Sequence, residues 1–192
     1  MEVNVEQGDI ILRHTKGWSP VAWGIRKLTE SYWNHVGQIM VTEDGAVFVI
    51  EAQPPVVVKT PIAEFINPKK FHVCFLRVRQ DAFKNKTEYK KAIAKASKFL
   101  IGKIGSLYDK RAIIWLAISY TILGMFKRVN PLDRRKEFFC SELVCRSWHG
   151  TSSIIKHLFA GIKHPGAKCN TITPGDIRKT ASVKYIAGKD LK

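Results

Sequence analysis

The chain has 192 residues, 45% of them hydrophobic, which suits one globular domain with a sizeable core. Lys and Arg number 32 against 16 Asp and Glu, giving a net charge of +16 and a sequence pI of about 9.9. That balance leaves two readings, a polyanionic neighbour or a solvated basic surface, and no helix-turn-helix, zinc-finger or RNP-like pattern singles out nucleic acid.

In chain order, Gly8 to Leu12 reads as a first strand entered by a turn, and Trp18 to Leu28 as a short helical stretch. Asn34 to Val41 and Ala46 to Ala52 read as paired strands, joined by Glu43-Asp44-Gly45, a three-residue turn ending in a left-handed glycine. A short strand (Pro55 to Lys59), a helical turn (Pro61 to Ile66) and a long apolar strand (Phe71 to Arg79) follow. Asn85 to Leu100 is the cleanest helix: Asn85 and Glu88 form a capping pair, and Tyr89, Ala92, Ile93, Ala96 and Phe99 make one stripe. Ser152 to Ile162 reads as a short helix and Val183 to Ile186 as a last strand. The fold class is therefore α+β, an antiparallel sheet with helices packed to one side.

One segment breaks this pattern. Ala112 to Phe126 is almost wholly apolar between Lys110-Arg111 and Lys127-Arg128, and is shorter than the roughly 20 residues that span a bilayer. A core helix and an interfacial helix with basic flanks both fit it.

The chemistry gathers at Phe138-Phe139-Cys140-Ser141-Glu142-Leu143-Val144. Cys140 opens a run that reads as helix, so its sulfur faces unpaired backbone N–H groups and the positive end of the helix dipole. Both favour a thiolate, and the same N–H groups suit a developing oxyanion. The alternative is a small buried hydrophobe. Cys74, Cys140, Cys145 and Cys169 show no C-x-x-C pair and no zinc-like spacing, and all four are expected as reduced thiols in an intracellular setting. The first six residues carry no basic and apolar signal regions, which gives a cytoplasmic expectation.

Among six histidines, His35 stands out at the start of a strand, two residues before Gly37. With a three-residue turn, Thr42 pairs with Ala46, His35 lies opposite Gln53, and Glu51 shares the face of His35 as its diagonal neighbour. A two-residue Asp44-Gly45 turn would send the two groups to opposite faces. A carboxylate beside a sheet histidine fixes its tautomer and orients it toward a nucleophile, and a plain surface hydrogen bond is the bland counterpart.

These segments, with Gly8-Asp9-Ile10-Ile11, Asn34-His35-Val36-Gly37, Val49-Ile50-Glu51-Ala52, Tyr108-Asp109 and Thr173-Pro174-Gly175-Asp176-Ile177, occur in an order that resembles the circularly permuted NlpC/P60 papain-like cysteine hydrolases. Within these the likeness is to the YiiX/YebB-like group, with poxviral and lecithin:retinol acyltransferase-type relatives. The resemblance spans nearly all of residues 1–192 as one domain, with an apolar insertion at about 110–137. It implies Cys140 as nucleophile, His35 as general base, Glu51 as the orienting group, and Tyr108 lining the site toward the oxyanion. It implies no metal and no cofactor. Asn34 stands where the family often has Ser.

Three functions follow as expectations. The first is an amidase or peptidase acting on a small peptide-like, cell-wall-type substrate. The second is a lipid acyl hydrolase or acyltransferase at an anionic membrane surface. The third is a catalytically idle membrane- or anion-binding protein, against which the intact Cys, His and Glu argue. Oligomeric state is left open.

Overall fold

The computed structural model describes residues 4–111, 137–149, 151, 169–180 and 182–189. Eight strands form one curled sheet: β1 (Ile10–Thr15), β2 (His35–Val41), β3 (Val47–Gln53), β4 (Val56–Pro61), β5 (Phe71–Val78), β6 (Leu107–Tyr108), β7 (Glu137–Phe138) and β8 (Val183–Gly188), in the order β7-β6-β4-β3-β2-β1-β5-β8. Helix α1 (Pro20–Thr29) joins β1 to β2, α2 (Ile62–Phe65) follows β4, and α3 (Lys86–Ile101) follows β5. Helix α4 (Cys140–Trp148) follows β7, and α5 (Pro174–Lys179) precedes β8.

The pairing follows the sequence pattern closely in the centre of the sheet. Thr42 N–H donates to the Ala46 carbonyl at 2.9 Å, Gly45 takes φ 81°, and Gln38 pairs with Ile50 and Val41 with Val47. The turn is thus the three-residue form, and the register it dictates holds along β2 and β3. Helix α3 starts as expected, the Asn85 side chain accepting from the Glu88 N–H at 2.8 Å.

Alternation sorts the core into two faces. Ile10, Leu12, Val36, Cys74 and Leu76 point to the side covered by Ala92 and Ala96 of α3 and by Val144 and Trp148 of α4. Ile11, Ile39, Val49 and Phe75 point the other way, where Phe65 of α2 sits. Each fully buried aliphatic or aromatic side chain contributes roughly 1.5–3 kcal/mol, so both faces are strongly specified. The α+β expectation holds, with two refinements. The pair β6–β7 is parallel, while the other pairs are antiparallel. The short α2 covers the face opposite α3 and α4.

Two quoted motifs have plain structural work. Asp9 is buried and bound by Arg77 through Nε (2.7 Å) and Nη2 (2.8 Å), a fork that clamps β1 to β5. Thr173 and Asp176 form a reciprocal capping box that starts α5.

The cysteine expectation is corrected. Cys145 and Cys169 form a disulfide with Cα atoms 5.4 Å apart, and Cys74 and Cys140 are buried and outside any disulfide. Cys140 and Cys145 do share one helix and cannot bridge each other, but the chain returns at the turn Cys169–Thr171 beside α4 and supplies a partner from 24 residues away. The expected segments Ala112–Phe126 and Ser152–Ile162 lie outside the described residues.

Candidate active site

Cys140 is the first residue of α4, and Phe139 before it makes no side-chain capping hydrogen bond. The opening N–H groups of the helix therefore stay available to the site. Cys140 Sγ accepts from the backbone N–H groups of Val36 and Ser141 and is hydrogen-bonded to His35. Three tethers fix the helix. Ser141 Oγ donates to the Ile172 carbonyl at 2.6 Å, Ser147 Oγ donates to Gln38 Oε1 of β2 at 2.8 Å, and the disulfide ties Cys145 to the turn 169–171. Glu142 is turned inward and paired with Arg146 one turn on, at 2.6 Å.

His35 is the first residue of β2, buried against Phe65 with ring centroids 5.9 Å apart. Its Nε2 lies 2.5 Å from Glu51 Oε2. That leaves Nδ1 as the nitrogen turned to the thiol. Gly37 makes the approach possible: a Cβ there would lie 2.3 Å from Val49 Cγ1 and 3.4 Å from Glu51 Cβ. A side chain at this position would collide with Val49 and press on the backbone of β3 beside Glu51.

Glu51 is 1% exposed and fully engaged. Thr60 Oγ1 donates to Oε1 at 2.6 Å, and Arg13 Nη2 donates to Oε2 at 3.4 Å. Arg13 pairs with His35 across β1 and β2. Its guanidinium lies between the rings of Phe65 and Phe71, 4.3 and 4.4 Å from their centroids. Sequence reasoning found His35 and Glu51 but missed Arg13 and Thr60. Arg13 carried a usable signal, an arginine inside an apolar strand, but its partner depends on a β1–β2 register that crosses all of α1. Thr60 depends in the same way on the β3–β4 register.

The charges support one another. Burial alone would raise the Cys140 pKa, but the positive charge and hydrogen bond of His35, with the two N–H donors, bring it below the ordinary thiol value. Burial alone would lower the His35 pKa, yet the neighbouring Cys140 thiolate and the hydrogen bonds to Cys140 and Glu51 raise it, against a smaller opposing push from Arg13. Burial opposes the charge of Glu51 too, and His35, Arg13 and Thr60 together hold its carboxyl below the usual range. The arrangement favours a thiolate–imidazolium pair beside an ionised carboxylate.

Tyr108 ends β6, immediately beside β7, which leads into Cys140. Its hydroxyl is driven to stay protonated by burial and by the negative charges of Cys140 and Asp109. The sequence-expected residues Cys140, His35, Glu51 and Tyr108 are thus brought together.

A cysteine at a helix start thus faces a histidine and a carboxylate from a sheet that precedes it in the chain. The chain belongs to the permuted papain-like amidase family, YaeF/YiiX, C92, whose model matches residues 4–163. Among solved structures it is similar to the metalloprotein yiiX from Escherichia coli O157:H7, at 16% identity and a TM-score of 0.63, over 96% of this chain and 97% of that one. No curated protein matches it. Among the described residues, no group of three or more His, Cys, Asp or Glu is placed to hold a metal ion. No helix among them is long and apolar enough to cross a membrane.

Proposed function

We propose that the protein is a cysteine hydrolase that cleaves an amide bond in a peptide-like substrate through an acyl-enzyme on Cys140. The observation that carries this reading is the continuous chain from Cys140 to His35 to Glu51, two hydrogen bonds that join a helix-start thiol to a carboxylate-oriented imidazole. The Cys140 thiolate attacks the carbonyl carbon, forming the C–S bond as the π electrons move to oxygen. Helix-start N–H groups and the protonated Tyr108 hydroxyl stabilise that oxyanion. The His35 imidazolium gives its proton to the leaving nitrogen as the C–N bond breaks. Neutral His35 then takes a proton from water, the resulting hydroxide adds to the thioester, and the C–S bond breaks to return the thiolate. Glu51, held by Thr60 and Arg13, keeps the ring pointed at sulfur throughout. Where the substrate is an acyl ester of a lipid, the same steps apply with an alcohol as leaving group, a reading favoured by exposed Trp18 and Trp23 on the connection that leads from β1 to β2, the strand His35 opens.

The test is intact-protein mass spectrometry after incubation with lysate. A covalent acyl mass on Cys140, lost in Cys140→Ala and in His35→Ala, is the expected result. Equal labelling of Cys74 and Cys140 by a thiol-reactive acyl probe would remove the basis for the proposal.

A further inference from the structure

The end of the sheet that carries His35 has a surface that the chemistry above does not use. There β1 ends, β2 and β5 begin, and α1 crosses between β1 and β2. Trp18 is 87% exposed and Trp23 is 58% exposed. They occupy the position before the N-cap Ser19 and the fourth helical position of α1, which leave a helix start on one side. In many helices such a pair packs together as a staple, but here both indoles stand in solvent.

The chain that carries them is basic. Residues 10–29 contain no Asp or Glu, with Glu30 the first acid after them. The end of β1 is pinned to the turn before β5, Lys16 Nζ donating to the Pro68 carbonyl at 2.6 Å and Lys16 N–H to the Lys70 carbonyl at 2.8 Å. Lys69 and Lys70 on that turn are exposed, as is Lys27 of α1. Lys189, just past β8, closes the cluster with its ammonium 5.4 Å from the ring of Tyr32. The positive field is felt by the two nearby imidazoles. Burial first, then Arg26 and Lys189, lower the pKa of His14, and burial, then Lys189 and Lys16, lower that of His72. The mount is firm: Asn34 Oδ1 accepts from the Thr15 N–H at 2.9 Å, and Arg26 Nη1 donates to the Thr15 carbonyl at 3.3 Å.

Two exposed indoles on a connection flanked by exposed lysines match the chemistry of an anionic lipid–water interface. The ring bodies of tryptophan sit at headgroup depth, and ammonium groups meet lipid phosphates and carboxylates. We propose that this end of the protein docks on an anionic phospholipid bilayer through Trp18 and Trp23, with Lys16, Lys27, Lys70 and Lys189 on the headgroups. Docking holds the His35 end of the sheet against the membrane. The contact does not depend on which bond the site cleaves, so it is tested without an activity assay.

The experiment is sedimentation with phosphatidylcholine vesicles, with and without about 30% phosphatidylserine, followed by tryptophan emission. Wild type is expected to bind the anionic vesicles, ignore neutral ones, shift its emission to the blue, and release as salt rises from about 0.05 to about 0.5 M. Trp18→Ser with Trp23→Ser, at sites too exposed to disturb the core, is expected to weaken binding by about tenfold or more and abolish the blue shift. Lys27→Glu with Lys70→Glu, both exposed, is expected to weaken binding while leaving the melting temperature in place. Wild type that ignores anionic vesicles at low salt overturns the proposal, as does a double Trp variant that binds like wild type. A single-stranded oligonucleotide that binds tightly through the same two tryptophans, while vesicles do not, overturns it in favour of a nucleic-acid surface.

Discussion

The two halves of the active site are built by opposite means. The His35–Glu51 half is a product of strand register: one three-residue turn sets the parity, Gly37 clears the path, and Thr60 and Arg13 arrive from the flanking strands. The Cys140 half is reached by register only through the two-residue pair β6–β7. Its helix is placed by tethers from distant parts of the chain, Gln38, Ile172 and Cys169. The first half resists displacement because a one-residue slip would turn every side chain of the strand over. The second is more adjustable at its start, since the Ile172 and Gln38 tethers are single hydrogen bonds of modest strength and only the Cys169 tether is covalent. Mutations in the two halves should therefore fail differently.

The largest effects fall where the halves touch. Cys140→Ala and His35→Ala should each lower kcat/KM by about a thousandfold or more, with folding intact by circular dichroism. Near-normal turnover by either variant would end the cysteine-hydrolase reading. Glu51→Gln should cost about a hundredfold and also move the pH profile. Activity rises with pH as Cys140 ionises and falls as the His35 imidazolium loses its proton. Glu51 raises the His35 pKa, so its removal should draw the alkaline limb to lower pH. Arg13→Met should cost less, about tenfold, and move that limb the other way, because Arg13 lowers the His35 pKa. Opposite shifts in a pH–rate profile are the signature of a register-built half, and parallel shifts would refute it.

Stability separates the halves further. Gly37→Ala forces a Cβ against Val49 and should destabilise by about 2 kcal/mol in urea unfolding, since neither strand can yield without losing pairing. Ser147→Ala removes one tether of α4 and should cost about 1 kcal/mol, with kcat falling more than KM rises. A Gly37 variant as stable as wild type would show the strands to be as adjustable as the helix.

The contrast also explains what the sequence disclosed. The β2–β3 register was legible because Glu43-Asp44-Gly45 counts residues locally, and so His35 and Glu51 could be paired from spacing alone. Cys140 was legible through the helix pattern behind it. Arg13 and Thr60 were not, because each depends on a second register set by packing. The Cys145–Cys169 bond escaped for a related reason: excluding pairs along one helix says nothing about a turn that packs beside it. The parallel pair β6–β7 is two residues long on each side, too short to leave a period of its own.

The Ser147–Gln38 contact has one more consequence. His35 and Glu51 lie 16 residues apart on one hairpin, while Cys140 lies 89 residues beyond Glu51. During synthesis the base and its carboxylate can be complete long before the nucleophile leaves the ribosome. Seating α4 on β2 brings the sulfur to His35 and to the N–H groups that lower its pKa, so the gain in thiolate over an ordinary cysteine comes only with folding. Reactivity of Cys140 above that of an ordinary exposed thiol is then a readout of finished folding, available to a thiol probe added to nascent chains of increasing length.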